Sequence, residues 1–262
     1  MNAAALHPDY DALIDRIRPL FQDDYYQFVF SFAKCHYAQR VDMVQFVDRA
    51  MVLDAGCGYG QWTEALARRN GHVVAIDRSP NMVVTTKLYA EAFGIRNIEV
   101  REGELPHLDF PDNTFDLIWC WGVMMFVNRR TTLREFHRIL KPGGRVLVGC
   151  CNAPGRWVFK LLKALRAPKA SRGAIATARD VLRRGADPDA VPNHTTRRAA
   201  DRLCRDAGLL PIAADADGHI DLSGRGRRLP MFARRYAGLE HNIEFVAEKP
   251  GSGRPAATAP AR

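Results

Sequence analysis

The residues with the most chemical potential stand together in one short stretch, Val52-Leu53-Asp54-Ala55-Gly56-Cys57-Gly58-Tyr59-Gly60. It reads as a buried strand that runs into three glycines and then a helix. Glycine at such a point lets the backbone take positive φ and approach a ligand closely. The helix start that follows offers N–H groups with no partner inside the helix. The spacing is G-x-G-x-G with an Asp two residues ahead, unlike the G-x-G-x-x-G of dinucleotide folds. A second carboxylate, Asp77, stands 21 residues after Gly56, at the end of the next strand, where it can accept both hydroxyls of a ribose. The chemistry to expect is the holding of a nucleoside-bearing ligand.

Those residues need strands and helices to position them. The first strand is Met51 to Ala55, followed by a helix over about 61–69. The second strand is His72 to Asp77. Pro80 then opens a helix after Ser79 as a cap, and Gly94 ends it. Ile98 to Arg101 is a third strand. Phe115 to Trp121 is a fourth, announced by the turn residues Pro111-Asp112-Asn113. Arg129 to Leu140 is helical, with Leu133, Phe136, Ile139 and Leu140 on one side. Lys141-Pro142-Gly143-Gly144 breaks it, and Arg145 to Cys150 is a fifth strand. Strands alternating with helices specify a parallel sheet with right-handed crossovers, and the near-continuous apolar strands fit burial on both faces.

Upstream, residues 8–49 read as helical and rich in aromatics. Downstream of Cys151 the rhythm breaks into two candidate helices, Arg156–Arg166 and Ile175–Arg184. It resumes with a helix at Thr195–Ala207 ended by Gly208, a strand at Leu209–Ala213 and a last strand at Asn242–Ala247. The Gly/Pro/Ala-rich tail from Pro250 reads as disordered.

With these elements in place, the chain resembles the class I S-adenosylmethionine-dependent methyltransferases, of the methyltransferase type 11-like kind. The glycine stretch and Asp77 carry the resemblance. So do Gly103-Glu104-Leu105, Asp109-Phe110-Pro111-Asp112-Asn113-Thr114-Phe115-Asp116 and Leu140-Lys141-Pro142-Gly143-Gly144, so that it covers about residues 50–150. It implies an α/β, doubly wound, Rossmann-like sheet of seven strands, mostly parallel with the last antiparallel. A helical N-terminal cap (1–49), the cofactor-binding core (50–151), a helical insertion or lid (152–193), the remainder of the sheet (194–249) and the tail (250–262) complete it. The cofactor it implies is S-adenosyl-L-methionine, lying across the carboxyl ends of strands one, two and four. Gly56, Cys57, Gly58 and Gly60 would line its methionine and ribose portions, and Asp54 would orient the loop and hold the ammonium group. Asp77 would bind the ribose hydroxyls, with Arg78 beside the adenine. Glu104 stands where the family usually has Asp, one methylene shorter, to meet the adenine amino group. The Leu105 N–H would reach the ring nitrogen, and the Cys120 carbonyl would face the methionine end.

The acceptor is far less legible. Methyl transfer is an in-line displacement, so positioning can supply much of the catalysis, and some acceptors also need a base. His107, His194 and His219 are candidate bases, and His137, set in a helix, is the least suited. Tyr25, with Tyr26, is a candidate to close over the sulfonium with its ring face. Packing is the plainer reading for each of these.

Composition sets the wider limits. The chain has 262 residues, 47% hydrophobic and 26% charged, as a globular α/β protein should. No apolar run approaches the roughly 18 residues that a membrane span needs, and Asp9, Asp11 and Asp15 interrupt the start, which does not read as a signal peptide. Six cysteines without a C-x-x-C pair or a cluster of histidines beside them do not point to a metal site and fit a reduced, cytoplasmic protein. Residues 1–150 hold 17 Lys+Arg against 18 Asp+Glu, a net of −1, whereas residues 151–262 hold 21 against 11, a net of +10. An anionic acceptor, a membrane surface or a plain solvated surface all account for that half. Arg156–Arg166 is amphipathic, with Trp157, Val158, Leu161, Leu162 and Leu165 opposite Arg156, Lys160 and Lys163, so it suits either a lid or a peripheral membrane contact. The expectation is therefore a methyltransferase for a small-molecule acceptor of anionic or amphiphilic character. Two alternatives stay open: an RNA or protein methyltransferase, and a non-catalytic S-adenosylmethionine-binding regulator. No nucleic-acid module stands out, and Cys120-Trp121-Gly122-Val123 follows strand four in place of an N-P-P-[YW] tetrapeptide.

Overall fold

Apolar runs at Met51–Ala55 (β1) and His72–Asp77 (β2) become neighbouring parallel strands in the computed structural model, which describes residues 6–20, 25–152, 195–236 and 238–251. The other strands are β3 (Ile98–Glu102), β4 (Phe115–Trp121), β5 (Leu140–Asn152), β6 (Leu210–Ala216), the short β7 (Arg235–Tyr236) and β8 (Leu239–Glu240), and β9 (Asn242–Glu248). Seven of them form one sheet in the order β3-β2-β1-β4-β5-β9-β6, while β7 and β8 form a hairpin of their own. β1 runs parallel to β2 and β4, and β2 to β3. β9 is antiparallel to both its neighbours, β5 and β6. The sheet is thus the seven-stranded, mostly parallel one with its last strand reversed.

Helices supply the crossovers. Before the sheet come α1 (Asp11–Ile17), α2 (Tyr25–Val29) and α3 (Lys34–Met43). Within it, α4 (Gln61–Ala67) joins β1 to β2, α5 (Pro80–Ala92) joins β2 to β3, and α6 (Arg129–Ile139) joins β4 to β5. A further helix, α7 (Arg197–Asp206), precedes β6. Their ends follow local chemistry. Asn128 and Thr196 cap α6 and α7 by accepting the N–H of Thr131 and Ala199. Pro80 starts α5. On α6, Leu133, Phe136 and Ile139 are fully buried; truncating Phe136 to Ala would cost roughly 3–5 kcal/mol.

The chain divides into two compact units. The first takes the described residues within 1–108, 114–119 and 221–227. Here the N-terminal stretch is not one helical run. Turns of 3-10 helix at Pro8–Tyr10 and Arg18–Leu20 flank α1, and α2 and α3 are separate. Pro19 is the local reason near the first break, since proline lacks an N–H and restricts the residue before it. Aromatic packing fixes the pieces instead: Tyr10 meets Phe30 with ring centroids 4.8 Å apart, and Phe30 meets Tyr59 at 5.6 Å.

The second unit takes the described residues within 109–113, 120–220 and 228–262. The expected break at 141–144 is instead part of β5, because β9 and the residue after it reach that far. Gly143 donates to the Lys249 carbonyl and Lys249 donates to that of Gly144, each at 2.8 Å. At its other end β5 shifts register between Val148 and Cys151, and Cys150 takes φ 54°, the local contortion of a bulge. β6 runs on to Ala216, beyond the expected Ala213, and holds Pro211 at a register shift, which an edge strand tolerates. The β7–β8 hairpin has too few residues for a periodic signal and was not expected. The candidate helices at 156–166 and 175–184, His194 and the tail beyond residue 251 lie outside the described residues.

Candidate cofactor site

β1 ends at Ala55, and the chain turns through the glycine stretch before α4 begins at Gln61. Gly56, Gly58 and Gly60 have φ of 93°, 55° and 91°, a region that costs an L side chain roughly 1–2 kcal/mol. The N–H groups of Gly56 and Cys57 both donate to the Ile76 carbonyl at 2.9 Å, which fastens the turn to β2. Gly60 and Gly58 differ in surroundings. A Cβ on Gly60 would come 3.2 Å from the Thr86 Cα and the Tyr89 Cβ, whereas one on Gly58 would meet nothing within 4 Å. The protein itself fills the space beside Gly60 and leaves the space beside Gly58 open.

Both carboxylates of the motif are fixed by neighbours. Asp77, at the end of β2, accepts the Gly58 N–H through Oδ2 at 3.0 Å and the Ser79 N–H through Oδ1 at 2.9 Å. It therefore ties the β1 and β2 loops together, and each oxygen keeps a lone pair for a further donor. Asp54 is 1% exposed. Its Oδ2 accepts the Thr63 hydroxyl at 2.7 Å, and among the described residues its Oδ1 has no partner. Burial pushes its pKa up to about 7, with the Asp77 charge adding to the rise and the Thr63 hydrogen bond opposing it. A buried acid with one free oxygen is poised to ionise when a cation arrives beside it. Cys57 is buried, and burial holds its thiol well above the usual range. Thr86 braces the turn, with its hydroxyl 3.0 Å from the Gly58 carbonyl and 3.3 Å from the Cys57 Sγ.

The loop after β3 is anchored to the same strand end, because Gly103 donates to the Asp77 carbonyl at 3.1 Å. Glu104 is exposed and forms an isolated antiparallel bridge with His107, also exposed; Leu105 between them is buried. Arg78 is exposed next to Asp77. The first unit thus gathers Asp54, Gly56, Cys57, Gly58, Gly60 and Asp77 in one bonded cluster, with Arg78, Glu104 and Leu105 on adjoining strand ends. Cys120 belongs to the second unit, buried one residue before β4 ends.

The remaining candidates divide. Tyr25 is 45% exposed, its ring 5.8 Å from Phe28 and 6.3 Å from Tyr59. His137 packs under Gly208, and burial lowers its pKa. The His219 Nδ1 lies 2.9 Å from the Asp217 carbonyl. Thr63 and Thr86 escaped the sequence reading, since a single hydroxyl on a helix carries no pattern until the fold aims it.

Residues 52–144 match a family model described as a methyltransferase domain. Over those residues the chain resembles a methyltransferase domain. Curated relatives carry the same kind of name. The demethylmenaquinone methyltransferases of Bacillus cereus and Bacillus cytotoxicus are 35% and 34% identical over 126 residues, 45% of this chain and 53% of theirs. The chain therefore spans about half the length of the curated relatives it matches. Solved structures extend the likeness across the fold. Geranyl diphosphate methyltransferase, in complex with S-adenosylmethionine, aligns with a TM-score of 0.56 at 19% identity, covering 94% of this chain and 96% of that one. The YcgJ protein of Bacillus subtilis gives 0.56 at 18%, covering 84% and 100%. The [4+2]-cyclase SpnF gives 0.57 at 18%, covering 93% and 94%. The fold is that of the class I S-adenosylmethionine-dependent methyltransferases. The cyclase among its neighbours is a reminder that such a fold hosts more than one chemistry.

Proposed function

We propose that this chain is an S-adenosylmethionine-dependent methyltransferase acting on a small-molecule acceptor in the cytoplasm. The observation that carries the cofactor is the pairing of a glycine turn open at Gly58 with a buried Asp54 whose Oδ1 has no partner among the described residues. That pair fits a cofactor with one cationic end and one nucleoside end. Asp54 would take the ammonium group, and Asp77 the ribose hydroxyls with the lone pairs its loop contacts leave over. Glu104, the Leu105 N–H and Arg78 would surround the adenine. Gly56, Cys57, Gly58 and Gly60 would bring bare backbone against the ligand. When bound, the cofactor supplies a methyl group on a positively charged sulfur. The protein's contribution is to hold an acceptor in line with it and to exclude water. Tyr25, half exposed beside Tyr59, suits a place near that cation.

The name of the curated relatives supports a quinone-type aromatic acceptor. The net +10 of residues 151–262 supports one of anionic or amphiphilic character. Among the described residues, no helix is long and apolar enough to cross a membrane, and the peripheral contact expected of Arg156–Arg166 falls outside them.

Calorimetry with S-adenosylhomocysteine tests the cofactor assignment. Asp77→Ala removes charge-assisted hydrogen bonds, each worth roughly 1.5–3 kcal/mol, so affinity should fall at least about tenfold. Because Asp77 also joins two loops, its loss should lower the melting temperature as well. Unchanged affinity would remove Asp77 from the ribose role. Labelled cofactor offered with a panel of quinols should yield methylated product; binding without turnover on any acceptor would favour the regulator instead.

A further inference from the structure

We infer that the second unit holds an acceptor subsite at Asn242, shaped for a flat aromatic ring whose edge carries a hydrogen-bond donor beside an acceptor. This rests on the methyltransferase reading and deepens it. Asn242 opens β9, directly across from Asn152 at the end of β5. That is the carboxyl end of the parallel strands, where open α/β sheets bind their ligands. The residue is 1% exposed, yet among the described residues neither its Nδ2 nor its Oδ1 has a hydrogen-bond partner. A carboxamide buried in that condition is costly. The backbone does not require it, since Asn242 is held by strand pairing and by the Asp217 N–H, which donates to its carbonyl at 3.2 Å. Leucine has the same branched skeleton without the polar cost, so the buried amide points to a ligand that completes it.

The surroundings describe that ligand. Trp121, the last residue of β4, lies on Gly149, where any Cβ would collide with the indole, 2.8 Å from its Nε1. The Phe232 ring stacks against Trp121, with centroids 6.2 Å apart and planes 12° from parallel, and His241 lies 5.9 Å from Phe232. Asp217 joins the two halves of the cluster. Its carboxylate accepts the N–H groups of Met231 and Phe232 at 2.7 and 3.1 Å, while its own N–H holds Asn242. Flat rings offer π faces to a flat ligand. A neutral carboxamide offers NH₂ beside C=O, the complement of a lactam or of a hydroxyl next to a carbonyl.

The test uses the full chain saturated with S-adenosylhomocysteine and two probes, 2-quinolone and N-methyl-2-quinolone, which differ only in the blocked donor. The parent should bind 2-quinolone at least about tenfold more tightly. Asn242→Leu should abolish that preference, keep its cofactor affinity within about twofold, and melt at the same or a higher temperature. Phe232→Leu should weaken both probes equally. A leucine variant that keeps the preference, a parent that never shows it, or loss of cofactor binding in Asn242→Leu would each overturn the subsite. Failure of the parent to bind S-adenosylhomocysteine at all would overturn the methyltransferase reading beneath it.

Discussion

The glycine turn of the first unit and the Trp121–Asn242 cluster of the second solve the same problem with opposite materials. The turn works with backbone: three positive-φ glycines and N–H groups fastened to the Ile76 carbonyl and the Asp77 carboxylate, all within 21 positions of one another in sequence, from Gly56 to Asp77. The cluster works with side chains drawn from β4, Asp217, the turn at 231–232 and β9, seated on the bare Gly149 of β5 and spread from Trp121 to Asn242. The lesson is one of division. Backbone geometry suits a ligand shared by every member of a fold, because it constrains few side chains. Side chains collected over long range can change one at a time, and so suit whatever differs between relatives.

The strongest way to break that comparison is at Gly58. A β-branched residue there would be strained at φ 55° and would fill the open side of the turn. Gly58→Val should weaken S-adenosylhomocysteine binding by at least about a hundredfold in a protein that still unfolds cooperatively. Normal affinity in the calorimeter would show that backbone approach at the turn is dispensable.

A smaller effect, about tenfold, is expected from Asp54 and pH. Its pKa is raised to about 7 by burial, so the free protein favours the neutral acid. The stability that this contributes is complete below about pH 4 and is lost as pH climbs through 7. A cofactor ammonium reverses the preference. Binding should therefore release a proton below pH 7 and be about tenfold tighter at pH 8 than at pH 6. Titrations in buffers of differing ionisation heat would count that proton, and Asp54→Asn should flatten the profile. A parent profile already flat would remove Asp54 from the ammonium.

The smallest effect sharpens the contrast from the other side. Gly149→Ala forces the Trp121 indole to move, at about 1–3 kcal/mol of stability, and should leave cofactor affinity alone. Denaturant unfolding and calorimetry on the same variant would test both halves. A variant that loses cofactor affinity along with stability would show that the two regions are not independent.

How much of this was legible beforehand follows the same division. The sequence places Met51–Ala55, His72–Asp77 and Phe115–Trp121 at their observed bounds, because each is a short apolar run closed by glycine or turn residues. Asp54, Asp77 and the glycines were read from spacing alone. What the spacing could not show is that the Asp77 oxygens already serve Gly58 and Ser79, or that Thr63 leaves one oxygen of Asp54 over. The N-terminal stretch misled for a related reason. Its aromatics favour no single helix, and their partners, Tyr59 and Tyr89, lie far along the chain.

By itself, then, the amino-acid order determined the alternation of strand and helix, the positive-φ turn and the carboxylate at the end of β2. Each of these follows from the conformational preferences of a residue and its near neighbours. Only the tertiary structure decided the reach of β5 and the burial of the Asn242 carboxamide without a hydrogen-bond partner among the described residues. It also decided the seat of Trp121 on Gly149. These depend on contacts between residues separated by up to about a hundred positions, where no local preference acts and packing against the rest of the chain selects the outcome.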